Sequence, residues 1–274
     1  SIQITTPMAL TLSTNDIDLW FVNIEQIQGE SLLKQYRNIL HTSEYERNQR
    51  FVFEIDRKRH LITRALLRSV LSEYNKDIEP QDWRFIQNDY GKPEVIPQMN
   101  PHDLKFNLSH SQQMIVLAVN NGQEVGVDIE SLNSNTPTKE LAKHTFAPQE
   151  YLQLKSLDAQ DFHKRFFDFW TLKEAYIKAC GMGLSIPLES FSFSFSAGNS
   201  IQISFEPTRQ DTPEQWQFWQ TNPNPDYVVS LGIKSQEVNQ KCIIMRRVIP
   251  LESHSVIGLE RLTTQNNKSK LHLA

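Results

Sequence analysis

The chain has 274 residues, of which 39% are hydrophobic and 22% charged, so it can bury the core of one large or two modest domains. The formal net charge of −4 argues against a broad nucleic-acid-binding surface and leaves room for a local basic pocket. The two cysteines, Cys180 and Cys242, lie far apart in sequence and exclude a disulfide framework or thiolate metal cluster, so we expect a reducing, cytoplasmic setting. We also expect no membrane span and no signal peptide, because no long apolar run is present.

Hydrophobic periodicity along the chain predicts a mixture of strands and helices. Strands are predicted at 16–24, 83–87, 104–108, 114–120, 125–130, 191–195, 201–205, 216–220, 227–233 and 242–248. Helices are predicted at 31–40, 43–51, 56–74, from 147 onward, and over 169–180. Asn121-Gly122 is a tight-turn signal and predicts a hairpin between the strands on either side of it.

The helix over 169–180 carries an unusual combination of side chains. Trp170, Glu174 and Lys178 are spaced four residues apart, so they lie along one helical face. The surrounding residues are apolar, and Gly181 is a plausible C-terminal stop. A charge near a buried face needs a partner. The alternative is an ordinary surface Glu–Lys pair, which contributes only a few tenths of a kcal/mol.

Three basic or hydroxyl-bearing segments precede that helix. The helix over 56–74 begins with the most basic region of the chain. Tyr90-Gly91-Lys92-Pro93 is a turn with a lysine at its tip, and Ser109-His110-Ser111 follows a predicted strand. Each is compatible with an ordinary solvated face, turn or capping serine. Each is also compatible with contacts to an anion such as a phosphate.

Two carboxylates share one face of the strand over 125–130. Asp128 and Glu130 are two residues apart and point the same way, while Val127 and Ile129 point into the opposite layer. Adjacent carboxylates repel unless a cation or a proton lies between them. With oxygen ligands alone the metal would be Mg²⁺ or Mn²⁺ rather than Zn²⁺, whereas an exposed strand end or salt bridges need no metal.

Taken together and in this order, these segments resemble the Sfp-type 4′-phosphopantetheinyl transferases. The motifs that carry the resemblance are the Arg/His-rich helix, Tyr90-Gly91-Lys92-Pro93, Asn107 to Ser111, Gly126 to Glu130, and Trp170 to Lys178. The resemblance implies an α+β fold with two similar α/β halves related by a pseudo-twofold and an active site in the cleft between them. It implies a first half over 1–121 with coenzyme A contacts and a second half over 122–252 with the metal site. We expect 253–274 to form a mobile tail.

The resemblance also implies a reaction and a set of site residues. The 4′-phosphopantetheine arm of coenzyme A, the co-substrate, is transferred to a serine of an apo acyl carrier protein or peptidyl carrier domain, and 3′,5′-ADP leaves. We expect a monomer that depends on Mg²⁺, with Mn²⁺ as a possible substitute. The implied metal ligands are Asp128, Glu130 and Glu174, the catalytic residues Glu150 (as general base), Lys178 and Glu174, and the coenzyme A contacts Arg47, Arg59, His60, Lys92, Ser109, His110 and Lys178.

Two other functions use part of the same residue set. A Mg²⁺-dependent phosphohydrolase acting on nucleotides shares the carboxylates but needs no carrier protein, so it releases phosphate or adenylate from coenzyme A alone. A non-catalytic coenzyme A-binding module binds without turnover. For Glu150 alone, a position in the first turn of a helix is a sufficient structural explanation.

Overall fold

The structure, a computed structural model, describes residues 8–197, 200–235, 241–262 and 266–268. Within these residues the strands form a five-stranded sheet, a six-stranded sheet and a two-stranded ribbon. Each large sheet carries a long helix on its outer face and packs against the other sheet on its inner face. The layers therefore run helix, sheet, sheet, helix, which confirms the predicted α+β fold with two halves. None of the described helices combines the length and apolar character needed to cross a bilayer.

The first half is built around one amphipathic helix. Its elements are β1 (Asp16–Asn23), α1 (Glu30–Ile39), α2 (Thr42–Gln49), α3 (Glu54–Tyr74), the ribbon strands β2 (Phe85–Gln87) and β3 (Pro93–Val95), β4 (Leu104–Ser111) and β5 (Met114–Asn121). Helix α3 buries an apolar face that includes Leu66 and Val70. That face packs on Trp20 and Val22 of β1, so the sheet positions the basic first turns of α3.

The second half repeats this plan with a more deeply buried helix. Its elements are β6 (Val125–Ser131), α4 (Lys139–Thr145), α5 (Pro148–Leu154), α6 (Ala159–Cys180), β7 (Phe191–Ser196), β8 (Ser200–Phe205), β9 (Trp216–Thr221) and β10 (Tyr227–Lys234). Residues Asn266–Lys268 add a short strand between β8 and β9. Helix α6 packs Phe169, Leu172 and Tyr176 against aromatic residues of the sheet, and this apolar contact fixes its orientation.

The two sheets share a central apolar core. Strand β1 directs Trp20 and Val22 toward α3 and directs Leu19 and Phe21 toward the other sheet. In the same core, β10 contributes Val229 and Leu231 from the second half. Because β1 is covered on both faces, its residues 19–22 form a continuous apolar run rather than an alternation of apolar and polar residues.

The hairpin predicted across Asn121-Gly122 is wrong. Strand β5 pairs with β1 and β4 in the five-stranded sheet, whereas β6 pairs with β10 in the other sheet. The turn does exist, and Gly122 adopts a φ of 88°. The turn connects β5 in the five-stranded sheet to β6 in the six-stranded sheet.

The C-terminal segment returns to the first half, which corrects the expected boundaries. Strands β11 (Lys241–Ile249) and β12 (Ser253–Leu262) complete the five-stranded sheet in the order β12-β11-β1-β5-β4. The sequence placed 241–252 in the second half and 253–274 in a mobile tail. Strand β12 instead pairs along β11, while residues 263–265 and 269–274 lie outside the described residues.

Candidate active site

The face of α6 that carries Trp170, Glu174 and Lys178 lies against β6. The helix begins after Asp158, whose side chain accepts from the backbone N–H of Asp161, and ends at Gly181 in the left-handed region with a φ of 68°. Apolar packing on the opposite face holds the helix in register. The predicted helical face and its stop at Gly181 are therefore present in the structure.

A glycine allows the close approach of helix and strand. A Cβ at Gly126 would lie 2.0 Å from the carbonyl oxygen of Ala175 and 2.4 Å from the backbone nitrogen of Ala179. No larger residue fits at this position without displacing α6. The spacing brings Glu174 and Lys178 beside the carboxylates of β6. The packing role of Gly126 depends on a helix about 50 residues further along the chain, so its own motif gives no local sign of it.

Three carboxylates come together at this contact. Asp128 is only 7% exposed, and burial raises its pKa well above the ordinary value. Lys178 opposes this rise, while Glu130 and Glu174 add to it because like charges repel. Burial likewise raises the pKa of Glu130 and of Glu174. The second Asp128 oxygen, Oδ2, is buried without a hydrogen-bond partner.

These carboxylates fit a hard divalent cation by their chemistry. All three offer oxygen donors, they repel one another, and Asp128 Oδ2 has no hydrogen-bond partner. Among the residues that the structure describes, no three His, Cys, Asp or Glu side chains are already gathered as a metal cage. This arrangement suits Mg²⁺, which retains waters and takes ligands from substrate phosphates.

Lys178 forms hydrogen bonds to both halves of the protein. Its Nζ donates to the carbonyl oxygens of Leu108 on β4, at 2.8 Å, and Val127 on β6, at 2.6 Å. Asp128 Oδ1 lies 4.0 Å away. Burial lowers the pKa of Lys178, and the neighbouring carboxylates, Asp128 first, oppose that change. An ammonium has three donors, so one remains for Asp128 or for a ligand.

Side chains of β4 satisfy the free edge of β6. The backbone N–H of Val127 donates to Asn107 Oδ1 at 2.9 Å, and that of Ser131 donates to Ser111 Oγ at 2.9 Å. Ser109 Oγ accepts from Ile129 N and donates to Asp128 Oδ1, both at 3.1 Å. The predicted coenzyme A contact Ser109 thus already joins the halves and orients Asp128. The roles of Asn107 and Ser111 escaped sequence analysis, although oxygen-bearing side chains at every second residue were a visible signal.

Cations of the first half lie next to this junction. His110, at the exposed end of β4, has its pKa lowered by burial and then by the nearby charges of Arg59 and Lys178. Arg59 forms an ion pair with Asp56 at 3.1 Å, and its Nε has no hydrogen-bond partner. The structure therefore brings Arg59 and His110 together with Lys178.

His60 and Arg47 form a second basic group between α2 and α3. Burial lowers the pKa of His60 to about 4, and the charges of Arg64 and Arg47 act in the same direction. The ring of His60 contacts Asn48 Nδ2 at 3.0 Å and packs against Phe51 with centroids 5.2 Å apart. Arg47 is exposed beside it. His60 is thus neutral at pH 7, so the positive charge of this group comes from the arginines.

Lys92 has contacts that differ from the predicted phosphate contact. Its Nζ lies 3.3 Å from Glu124 Oε2, 3.2 Å from the carbonyl of Val125 and 3.4 Å from the carbonyl of Ala179. Asn88 holds the turn by donating to the Gly181 carbonyl at 2.8 Å. An acceptor is present for each of the three N–H donors of Lys92 Nζ. The contact with the Ala179 carbonyl links the β2–β3 ribbon to the C-terminal end of α6. This geometry does not support a coenzyme A contact.

Glu150 likewise lies away from the cleft surface. Its side chain is fully buried, and Oε1 accepts from Lys173 Nζ at 2.7 Å and from Ala147 N at 3.0 Å. Oε2 accepts from Phe193 N at 2.9 Å. Both oxygens are committed to the interior, which corrects the predicted role as general base. The side chain of Glu150 therefore links the start of α5 to α6 and β7 through buried hydrogen bonds.

Comparison with known proteins finds two matching family descriptions, one for each half of residues 29–232. The description "4′-phosphopantetheinyl transferase, N-terminal" matches residues 29–122, and "4′-phosphopantetheinyl transferase superfamily" matches residues 124–232. The 4′-phosphopantetheinyl transferase HetI of Nostoc sp. is 34% identical over 227 residues, covering 83% of this chain and 91% of HetI. The chain belongs to this family. The 4′-phosphopantetheinyl transferase Sfp of Bacillus subtilis is 33% identical over 170 residues, covering 62% of this chain and 73% of Sfp.

Membership of the 4′-phosphopantetheinyl transferases confirms the resemblance drawn from the sequence motifs. The chain is an enzyme of the transferase class. The two matched regions meet between residues 122 and 124, where the chain crosses from the five-stranded to the six-stranded sheet.

Proposed function

We propose that this enzyme transfers the 4′-phosphopantetheine arm of coenzyme A to a serine hydroxyl of apo acyl carrier proteins or peptidyl carrier domains, with Mg²⁺ or Mn²⁺. The observation that carries the proposal is the meeting of opposite charges across the cleft. The acidic group of Asp128, Glu130 and Glu174 lies beside Lys178, and Arg59 and His110 adjoin it from the first half. A cation and a diphosphate can both be bound there.

The first half supplies the contacts for the phosphates of coenzyme A. Arg59 Nε has no hydrogen-bond partner, so a bond from this atom to a phosphate oxygen would replace no existing hydrogen bond. His110 gains a proton more readily once an anion lies next to it. Arg47 is exposed on the neighbouring helix α2 and provides a further charge for the 3′-phosphate end.

The acidic group provides the metal ligands. Asp128 and Glu130 come from one strand and Glu174 from the facing helix, so a cation between them would relieve their mutual repulsion. When bound, Mg²⁺ neutralises charge on the attacked phosphoryl group and on the leaving phosphate. Ser109 holds Asp128 Oδ1, which leaves Oδ2 for the metal.

Proton transfer belongs to Glu174 rather than Glu150. The serine oxygen forms a bond to the β-phosphorus of coenzyme A, the bond from that phosphorus to the bridging oxygen breaks, and 3′,5′-ADP leaves with the electron pair. The serine proton passes to a Glu174 carboxylate oxygen that does not hold the metal, since this side chain is partly exposed to solvent. The ammonium of Lys178 stabilises the charge on the transferred phosphoryl oxygens.

Intact-mass measurement tests the proposal directly. The enzyme is mixed with an apo carrier protein, coenzyme A and Mg²⁺, and a parallel sample contains a chelator instead of Mg²⁺. We expect the carrier to gain one phosphopantetheine arm in the first sample only. A carrier whose acceptor serine is replaced by alanine serves as the matched control and should gain nothing.

The alternative functions give different results in the same assay. Breakdown of coenzyme A without modification of acyl or peptidyl carriers would indicate a phosphohydrolase. Tight coenzyme A binding without breakdown or transfer would indicate a binding module. Transfer that continues unchanged in the chelator would contradict the role of the acidic group as a metal site.

A further inference from the structure

The turn between α2 and α3 exposes a short run of large apolar side chains. Val52 is 82% exposed, Phe53 67% and Ile55 45%. We call these three residues the apolar turn. Single exposed apolar residues are common on protein surfaces, whereas a contiguous group is a candidate contact surface for a partner.

The apolar turn also lacks the side-chain hydrogen bond that commonly caps the first turn of a helix. Phe53 is the N-cap residue of α3, with an extended backbone, and its side chain makes no capping hydrogen bond. Serine, threonine, aspartate and asparagine are strongly preferred at this position because their oxygens accept from the first free N–H groups of the helix. An exposed phenyl group at an N-cap adds nothing to the fold, so a role outside the folded chain explains it better.

The turn adjoins the active site through α3. Ile55 and Arg59 are four residues apart, so they share a helix face and are separated by about 6 Å along the axis. Phe51, just before the turn, packs on the ring of His60. A partner seated on the apolar turn therefore lies next to the cations that we assign to coenzyme A.

The charge around the turn differs in sign from that of the whole protein. Residues 45–60 contain five basic and three acidic side chains, whereas the full chain has a net charge of −4. Arg50, Arg57 and Lys58 flank the apolar residues, and Arg57 donates to the Val52 carbonyl at 3.5 Å. This surface complements a partner that has apolar side chains surrounded by acidic ones.

We infer that the apolar turn is the docking surface for the apo carrier domain, which binds through an acidic surface with exposed apolar side chains. The inference rests on the proposed function, because the carrier is the partner that must bring a serine hydroxyl to the acidic group. A surface one helical turn from Arg59 meets that need. Phe53 is the central anchor, and Arg50 supplies electrostatic attraction.

Replacing the anchor tests this inference without threatening the fold. Phe53→Ser removes the phenyl group and installs a preferred N-cap residue, so the melting temperature should hold or rise. We expect the KM for the apo carrier to rise about ten-fold, as for loss of one buried aromatic anchor. The KM for coenzyme A and the kcat should stay unchanged. Arg50→Glu should also raise the carrier KM, and more so at low salt.

A matched control lies on β12, an edge strand of the five-stranded sheet. Leu259 is exposed to a similar degree on β12, four strands from β4, so Leu259→Ser should leave every kinetic constant unchanged. If wild-type enzyme transfers the arm but Phe53→Ser keeps the wild-type carrier KM, the docking surface is wrong and the proposed function stands. If wild-type enzyme modifies no carrier, both proposals are wrong.

Two other occupants of the apolar turn give their own outcomes. Sedimentation of wild-type enzyme with anionic phospholipid vesicles, lost in Phe53→Ser while the carrier KM is unchanged, would assign the turn to a membrane surface. A concentration-dependent dimer lost in the same variant would assign it to a second copy of the chain. Either result would overturn carrier docking at this turn.

Discussion

Helix α6 places two lysines next to buried carboxylates, and the two pairs are built differently. Lys173 and Glu150 are both fully buried with their charged atoms 2.7 Å apart, and Lys173 also donates to the Phe191 carbonyl at 2.6 Å. On the cleft side, Lys178 lies 4.0 Å from Asp128, whose Oδ2 has no partner. Both oxygens of Glu150 accept hydrogen bonds from protein atoms, so we call the first pair saturated, whereas Asp128 Oδ2 accepts none and leaves the second pair unsaturated.

This difference separates a structural pair from the site that we propose for a cation. A saturated buried pair needs nothing further and ties three elements together. Around Asp128 three carboxylates compete for one lysine, so the folded protein holds an electrostatic cost that a bound cation removes. Residue type does not distinguish the pairs, but the completeness of their hydrogen bonding does.

Breaking the saturated pair should have the largest effect on stability. Glu150→Gln leaves the buried Lys173 without a counter-ion, and we expect a loss of about 3–5 kcal/mol in the free energy of unfolding, measured by denaturant titration. The transfer rate per folded molecule should match wild type across pH, because Glu150 does not reach the cleft. Glu140→Gln, an exposed change on α4, is the control and should alter neither quantity. A rate that falls without loss of stability would restore the role of Glu150 as base.

Breaking the unsaturated group should give the opposite pattern. Asp128→Asn removes a proposed metal ligand, and we expect transfer to fall on the order of 100-fold or more in the intact-mass assay. Its melting temperature should not fall, because an amide avoids the cost of burying a carboxyl group next to two others. Asp226→Asn, at an exposed site before β10, should behave like wild type. Full activity of Asp128→Asn at limiting Mg²⁺ would contradict the metal assignment.

The pH dependence of stability sharpens the same comparison. The pKa of Asp128 is raised on folding, so above the ordinary carboxyl range the folded chain holds a proton that the unfolded chain has lost. Stability from this group is therefore present at low pH and lost as pH rises. The melting-temperature advantage of Asp128→Asn should grow as the pH rises above the ordinary carboxyl range, about pH 4.

Magnesium should act on stability through the same residue. Binding to the folded chain alone raises the melting temperature. We therefore expect Mg²⁺ at neutral pH to stabilise wild type and to have little effect on Asp128→Asn. Equal shifts in both proteins would place the metal elsewhere.

The smallest effect should come from the edge of β6. Ser111→Ala removes the acceptor of the Ser131 N–H, and we expect a loss of about 1 kcal/mol in the free energy of unfolding. Ser196→Ala, at an exposed position on β7, is the control. If Ser111→Ala is as stable as the control variant, the hydrogen bond between Ser111 and Ser131 does not stabilise the fold.

Local periodicity was enough to predict the main parts of the site. A spacing of four residues placed Glu174 and Lys178 on one face of α6, and a spacing of two placed Asp128 and Glu130 on one face of β6. Gly181 ended the helix as its conformational freedom suggested. These features depend only on neighbours within a few residues, so the sequence contains them fully.

The errors concern partners that lie far away in the chain. Lys92 and Glu150 have the residue types of a phosphate contact and a base, but their partners come from other elements, as Val125 does for Lys92 and Lys173 for Glu150. The turn at Gly122 was read as a hairpin because local signals do not say which sheet follows. The pairing of β11 with β1 was beyond local analysis for the same reason.

The return of β11 to the first sheet bears on how the protein is made. Strand β1 lies between β5 and β11, and its residue Asp16 pairs with Cys242. During synthesis the first half emerges early, yet one side of its central strand remains open until the second half has left the ribosome. Such distant parallel pairing is slow to form, so closure of the five-stranded sheet is expected to be a late step. A fragment that ends after β5 would expose that open edge and should aggregate rather than fold.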